Sequence, residues 1–152
     1  MLTNTYKGTV NKFEDAGGEN LKKILFVCVE NACRSQMAEA FFNQMSKKAK
    51  ASSAGTRLAS RVNPLAVQVM NEVGIDISNA KPKLLTIEML ESADRVITMG
   101  CAVGDVCPGA FVKMEDWGIE DPAGKSVQKF REVRDIIRDK VERLVKELDS
   151  KI

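Results

Sequence analysis

An α/β fold built on a mainly parallel sheet is the fold class this sequence predicts, and three observations carry it. Short, nearly continuous apolar runs, of which "KILFVCV" (Lys23 to Val29) is the clearest, suit strands covered on both faces. Other segments repeat apolar residues every three or four positions, as amphipathic helices require. The two kinds of segment alternate along the chain, which points to strand–helix–strand units.

Each element follows from its own pattern. Residues 1–22 are polar, contain "DAGGEN" and show no sustained periodicity, so they read as an N-terminal extension to a single domain spanning 23–152. After the first strand the spacing turns helical from Ser35, with Met37, Ala38, Phe41 and Met45. "KAKASSAG" (Lys48 to Gly55) reads as a second strand closed by a glycine turn. In "NPLAVQVMNEVG" Asn63 is the N-cap of a helix, Pro64 its first residue and Gly74 its stop. "TIEMLESA" gives a short helix, "DRVITMG" (Asp94 to Gly100) a third buried strand and "AFVKMED" a weaker fourth. From Ser126 a long amphipathic helix places Val127, Phe130, Val133, Ile137, Val141, Leu144 and Leu148 on one stripe.

Composition narrows the function. A chain of 152 residues can bury a core without disulfides or metals, and 44% hydrophobic with 29% charged residues is ordinary for a globular protein. A net charge of +2 gives no electrostatic footprint for nucleic acid or an anionic membrane. No run reaches the roughly 18 apolar residues of a membrane span, and the N-terminus lacks the apolar core of a signal peptide. The expected location is the cytosol, and a monomer is the expected state. There the four cysteines, at 28, 33, 101 and 107, are read as catalytic, metal-binding or buried rather than as permanent disulfides. Zinc is disfavoured by their spacing and by the absence of histidine, so no metal site is expected. The absence of histidine also excludes a Cys–His pair.

The stretch "CVENACRS" carries the chemistry. Cys28 ends the first strand, and Arg34 and Ser35 stand where the next helix begins. Backbone N–H groups in such a loop converge on one point, where the helix dipole also favours negative charge. Glu30, Asn31, Ala32, Cys33, Arg34 and Ser35 are therefore the expected oxyanion-binding loop, with Arg34 as a bidentate donor to a tetrahedral anion. Cations and helix N-termini favour the thiolate of a cysteine, which makes Cys28 the expected nucleophile, with Ser35 donating to its sulfur. A buried, inert Cys28 is the competing reading; the position of the loop between an apolar strand and an amphipathic helix weighs against it. Cys101 follows the third strand, so if the first and third strands are neighbours the two thiols emerge at one edge of the sheet.

"CVENACRS" is similar to the signature of the low-molecular-weight protein tyrosine phosphatase fold, and "NACRSQMAEAFF" resembles its arsenate reductase branch. The resemblance runs from about Lys23 to the C-terminus, through "SAG", "NPLAVQVMNEVGIDIS", "VITMGC", "CP" and "EDWGIEDPAGK". It implies a three-layer fold around a four-stranded sheet, with Cys28 attacking arsenate held by the loop and Arg34. It implies that Asp121, before Pro122, is the acid that assists departure of an oxygen. It also implies a redox relay: a Cys28–Cys101 disulfide forms as arsenite leaves, and Cys107 then moves it to Cys101–Cys107. An external thiol reductant, thioredoxin first among the candidates, would reopen that disulfide, and no bound cofactor is needed. Gly100, Gly104 and Gly109 are expected to give the cysteine-bearing segment enough freedom to bring Cys101 onto Cys28.

The chain also departs from its relatives. Glu30 stands where many carry glycine and is expected to point outward, while Cys33 is expected to be structural. Asn31, Ser35, Ser53 and Glu39 are expected to support the loop. Asn31, Ser53 and Glu39 match a potassium site of some thioredoxin-linked reductases, but Lys83 replaces its remaining carboxylate and is expected to pair with Glu39. The interval from Cys101 to Cys107 is also shorter than in such reductases. The rival enzyme is a low-molecular-weight tyrosine phosphatase. Ala123 and Gly124 after Asp121-Pro122, where aromatics would grip a phosphotyrosine ring, weigh against it. A non-catalytic oxyanion or redox sensor is the third reading.

Overall fold

The computed structural model describes residues 21–57, 59–100 and 114–150. Of the expected extension, only Leu21 and Lys22 fall among them. β1 (Lys22–Cys28), β2 (Ala49–Gly55), β3 (Arg95–Thr98) and β4 (Met114–Asp116) form one sheet in the order β2-β1-β3-β4, every pair parallel. Ile24 to Cys28 are all buried, as the continuous apolar run predicts for a strand flanked on both edges and covered on both faces. β4 is short and exposed, a common way of blunting a sheet edge.

Helices cover both faces. α1 (Arg34–Met45), α2 (Pro64–Glu72) and α4 (Val127–Asp149) share one core with Ile24, Phe26 and Cys28 of β1. α3 (Ile87–Ser92) supplies Leu90 to the opposite core, with Leu25, Val27, Ala54 and Val96. The period-2 alternation of β1 thus sends odd and even residues into different layers. Along α4, Phe130, Val133, Ile137, Val141 and Leu144 are buried, and Phe26 packs edge-on against Phe42 with ring centroids 6.1 Å apart. α1 begins at Arg34, one residue earlier than the apolar spacing alone suggests, because the turn that starts it uses a buried arginine and serine.

Side-chain caps start the other described helices, the one at Asn63 as its sequence predicts. The side chains of Asn63, Thr86 and Ser126 accept from Leu65 N, Met89 N and Lys129 N at the starts of α2, α3 and α4. Gly74, at φ 86°, follows the end of α2 in a left-handed conformation.

The chain leaves β1 through α1 to β2 on one side, then crosses to β3 on the other. The sheet therefore reverses its winding direction between β1 and β3. Such a switch point opens a crevice beyond the carboxyl ends of the strands, where Cys28 ends β1 and Met99 and Gly100 leave β3.

Candidate active site

Cys28 is 2% exposed at the end of β1, and its sulfur lies 2.8 Å from Ser35 Oγ and accepts from Asn31 N at 3.3 Å. Between them the loop turns through Asn31, whose φ of 56° is a left-handed conformation that asparagine tolerates better than most residues. The fully buried Asn31 side chain then ties the loop together. Its Nδ2 donates to Ser35 Oγ at 2.8 Å and to Ser53 Oγ at 2.9 Å, and its Oδ1 accepts from Lys83 N at 2.8 Å and Gln36 Nε2 at 3.0 Å. Those bonds set the direction of the chain. Because Ser35 Oγ accepts from Asn31, its own hydrogen is free to point at Cys28 Sγ.

Ser53 Oγ in turn donates to Glu39 Oε1 at 2.5 Å, and Lys83 Nζ lies 3.7 Å from the same oxygen. A continuous path thus runs from the Lys83 ammonium through Glu39, Ser53, Asn31 and Ser35 to Cys28. Gly55, opposite Cys28 in the β1–β2 register, lets the loop pass close: a Cβ there would meet Val29 O at 2.7 Å and Asn31 N at 2.8 Å.

Arg34 is buried, with Nη1 donating to Met99 O at 2.6 Å and Ile119 O at 2.9 Å. This anchors the guanidinium across the crevice and leaves Nη2 3.5 Å from Asp121 Oδ2. Asp121 is half exposed and accepts from Ala123 N at 3.0 Å. Unlike the other three helices among the described residues, α1 carries no side-chain cap: its N-cap residue is Cys33. The first N–H groups of α1 are thereby left to an anion.

Over this loop lies a cavity of about 340 Å³, lined by Cys28, Glu30, Ala32, Cys33, Arg34, Asp121 and Arg57. Glu30 is exposed at its mouth. Cys33, 6% exposed, has its thiol pushed up to about 12, first by burial and then by the nearby charges of Asp121 and Cys28, so it stays protonated and unreactive. Among the described residues no group of three His, Cys, Asp or Glu side chains could hold a metal.

The structure brings together Cys28, Asn31, Ala32, Cys33, Arg34, Ser35, Ser53, Glu39 and Asp121 around one crevice. Cys101 and Cys107 lie outside the described residues. Sequence reasoning missed Gln36 and Arg57. Gln36 is buried in α1 and reaches Asn31 O and Lys81 O; a glutamine on the buried side of a helix start was the available signal. For Arg57 the sequence offers none.

A strand-end cysteine, an uncapped helix and a buried arginine define an oxyanion-handling class of protein, and the comparisons agree. The profile of the family described as low molecular weight phosphotyrosine protein phosphatase matches residues 23–152, and the chain belongs to that family. Within it, an arsenate reductase of Bacillus cereus is 44% identical over 128 residues, covering 82% of this chain and 95% of that protein. One from Bacillus anthracis is 43% identical over the same length. Among solved structures, an arsenate reductase in its phosphate-binding state superposes with a TM-score of 0.75 at 39% identity, covering 84% of this chain and 98% of the other. An arginine phosphatase from Geobacillus stearothermophilus reaches 0.77 at 29% identity, covering 86% and 94%. No helix among the described residues is long and apolar enough to cross a membrane.

Proposed function

We propose that the protein reduces arsenate to arsenite by a thiol relay starting at Cys28. The likeness to arsenate reductases, 44% identity across 95% of the Bacillus cereus protein, carries the choice of reaction. The geometry of the loop supports the first step. Arsenate enters the crevice, its oxygens take the N–H groups at the start of α1, and it replaces Asp121 as the partner of Arg34 Nη2. The Cys28 thiolate, held by Ser35 and Asn31, forms a bond to arsenic. One oxygen departs as water, with a proton from Asp121, because a bare oxide or hydroxide leaves poorly. The position of Asp121 Oδ2, 3.5 Å from Arg34 Nη2, supports that role.

The Cys101 thiolate then attacks Cys28 Sγ. The sulfur–arsenic bond breaks with its electron pair going to arsenic, so As(V) becomes As(III) as two thiols become one disulfide. Cys107 attacks Cys101 to give a Cys101–Cys107 disulfide and frees Cys28. A dithiol protein of the thioredoxin kind restores both thiols, and the protein needs no bound cofactor. Cys28, Arg34 and Asp121 touch substrate in this scheme; Asn31, Ser35, Ser53 and Glu39 position the loop. The Lys83–Glu39 pair occupies the place where a cation could otherwise neutralise Glu39, so no potassium requirement is proposed.

The test is arsenate turnover with thioredoxin and its reductase, run beside glutaredoxin with glutathione and beside aryl phosphate hydrolysis. Turnover with one donor, lost in Cys101→Ser and Cys107→Ser variants that still hydrolyse the ester, is the expected result. Brisk hydrolysis with no arsenite from either donor would make the protein a phosphatase.

A further inference from the structure

The cavity is larger than the anion it is proposed to hold. A tetrahedral oxyanion, with four oxygens, fills about 120 Å³ at the roughly 30 Å³ that each water occupies in the liquid. The cavity measures about 340 Å³, which lies in the range that takes an organic ligand rather than an ion alone. Beyond Cys28, Arg34 and the loop between them, other residues also line this space. Among them are Ala123, a small residue, and Arg57 and Glu30, both exposed.

The backbone of Arg57 is pinned there. Arg57 N donates to Val29 O at 2.8 Å, and Thr56 N donates to Cys28 O at 3.1 Å, so the segment after β2 runs alongside the start of the anion loop. Gly55 just before it makes that approach sterically possible. Its guanidinium, by contrast, has no carboxylate partner among the described residues, whereas Arg34 is committed to two carbonyls and to Asp121. No ion pair joins Arg57 to Glu30 among the described residues.

We infer that Arg57 forms a second, outer anion position in this cavity. The site then prefers ligands in which a tetrahedral oxyanion head is joined by a short tether to a second acid group. This deepens the oxyanion reading and rests on it. The ligand class is an organic acid carrying a phosphate, phosphonate or arsonate head, with the head on the α1 loop and the carboxylate on Arg57. Arg57 acts as a specificity-determining residue. Its planar fork suits a carboxylate, and its exposure makes the contact sensitive to salt.

Calorimetric titration of the reduced full-length protein tests this without any turnover. The probes are methylphosphonate and a series with the same head and a terminal carboxylate: phosphonoacetate, 3-phosphonopropionate and 4-phosphonobutyrate. At least one carboxylated member should bind about fivefold more tightly than methylphosphonate, the size expected of an exposed ion pair. That ratio should fall to about 1 in Arg57→Ala and at raised salt, survive in part in Arg57→Lys, and invert in Arg57→Glu. Equal affinities throughout the series, or a preference that persists in Arg57→Ala and Arg57→Glu, would overturn the outer anion position and leave the oxyanion loop standing. Failure of every phosphonate to bind would overturn both.

Discussion

The floor and the mouth of the cavity are built in opposite ways. At the floor, Cys28, Asn31, Ser35 and Ser53 are buried, and each polar atom of Asn31 has a named partner. At the mouth, Asp121, Arg57 and Glu30 are exposed and sparsely bonded. Buried polar networks rigidify a site only when fully satisfied, whereas exposed charges can exchange partners with little loss. The floor is therefore a fixed cradle, suited to chemistry shared by reductases and phosphatases. On the inference drawn above, the mouth is where one substrate would be distinguished from another.

Substitutions can break that comparison, beginning with the most severe. Cys28→Ser should remove arsenate reduction and phosphate-ester hydrolysis together, each by more than roughly 10³-fold, as loss of a nucleophile does. Survival of either activity would move the nucleophile elsewhere. Asp121→Asn, at the mouth, should lower kcat by roughly 10² to 10³, the contribution of a positioned general acid, with phosphate inhibition changed by less than about threefold. An unchanged kcat would remove Asp121 from proton transfer.

Asn31→Ala should act on the fold as well as on the site. It strips donors and acceptors from Ser35, Ser53, Gln36 and Lys83 N and forces alanine to φ 56°. A loss of about 2–4 kcal/mol in urea unfolding is expected from the unsatisfied groups and the left-handed backbone together. Asn31→Gly removes the backbone part, so the difference between the two variants separates strain from hydrogen bonding.

The smallest expected effect belongs to Cys33. With its thiol pushed up to about 12, it remains protonated from pH 7 to 9, and only the thiolate alkylates readily. In a Cys101→Ser, Cys107→Ser background, iodoacetamide should label Cys28 and leave Cys33 unmodified over that range, read by peptide mass spectrometry. Cys33 labelled as fast as Cys28 would mean that the floor is not closed.

How far the sequence alone reaches follows the same division. The α/β class, β1 to within one residue at each end, the start of α2 and the core stripe of α4 are local patterns, legible from periodicity and caps. The loop from Cys28 to Ser35 is legible because its chemistry is contiguous in sequence. Asp121 and Ser53 came from resemblance, since nothing local marks an Asp-Pro turn or a strand serine as part of a site. The contacts of Arg34 to Met99 O and Ile119 O join residues 65 and 85 positions apart, and only the sheet order brings those carbonyls together. The position of Arg57 beside the cavity was invisible for a related reason: an exposed arginine has no pattern, and it is Gly55 that lets the chain pass close to the loop.

The central claim is that an oxyanion cradle shared with phosphatases becomes a reductase because further thiols can take the oxidation. A single-turnover experiment measures this directly. Fully reduced protein is mixed with excess arsenate and no external reductant, and arsenite is counted beside the disulfides mapped by mass spectrometry. The account predicts one arsenite per chain, one Cys101–Cys107 disulfide and free thiols at Cys28 and Cys33. Phosphate-ester hydrolysis in the same preparation, with no arsenite formed and all four cysteines still reduced, would contradict it.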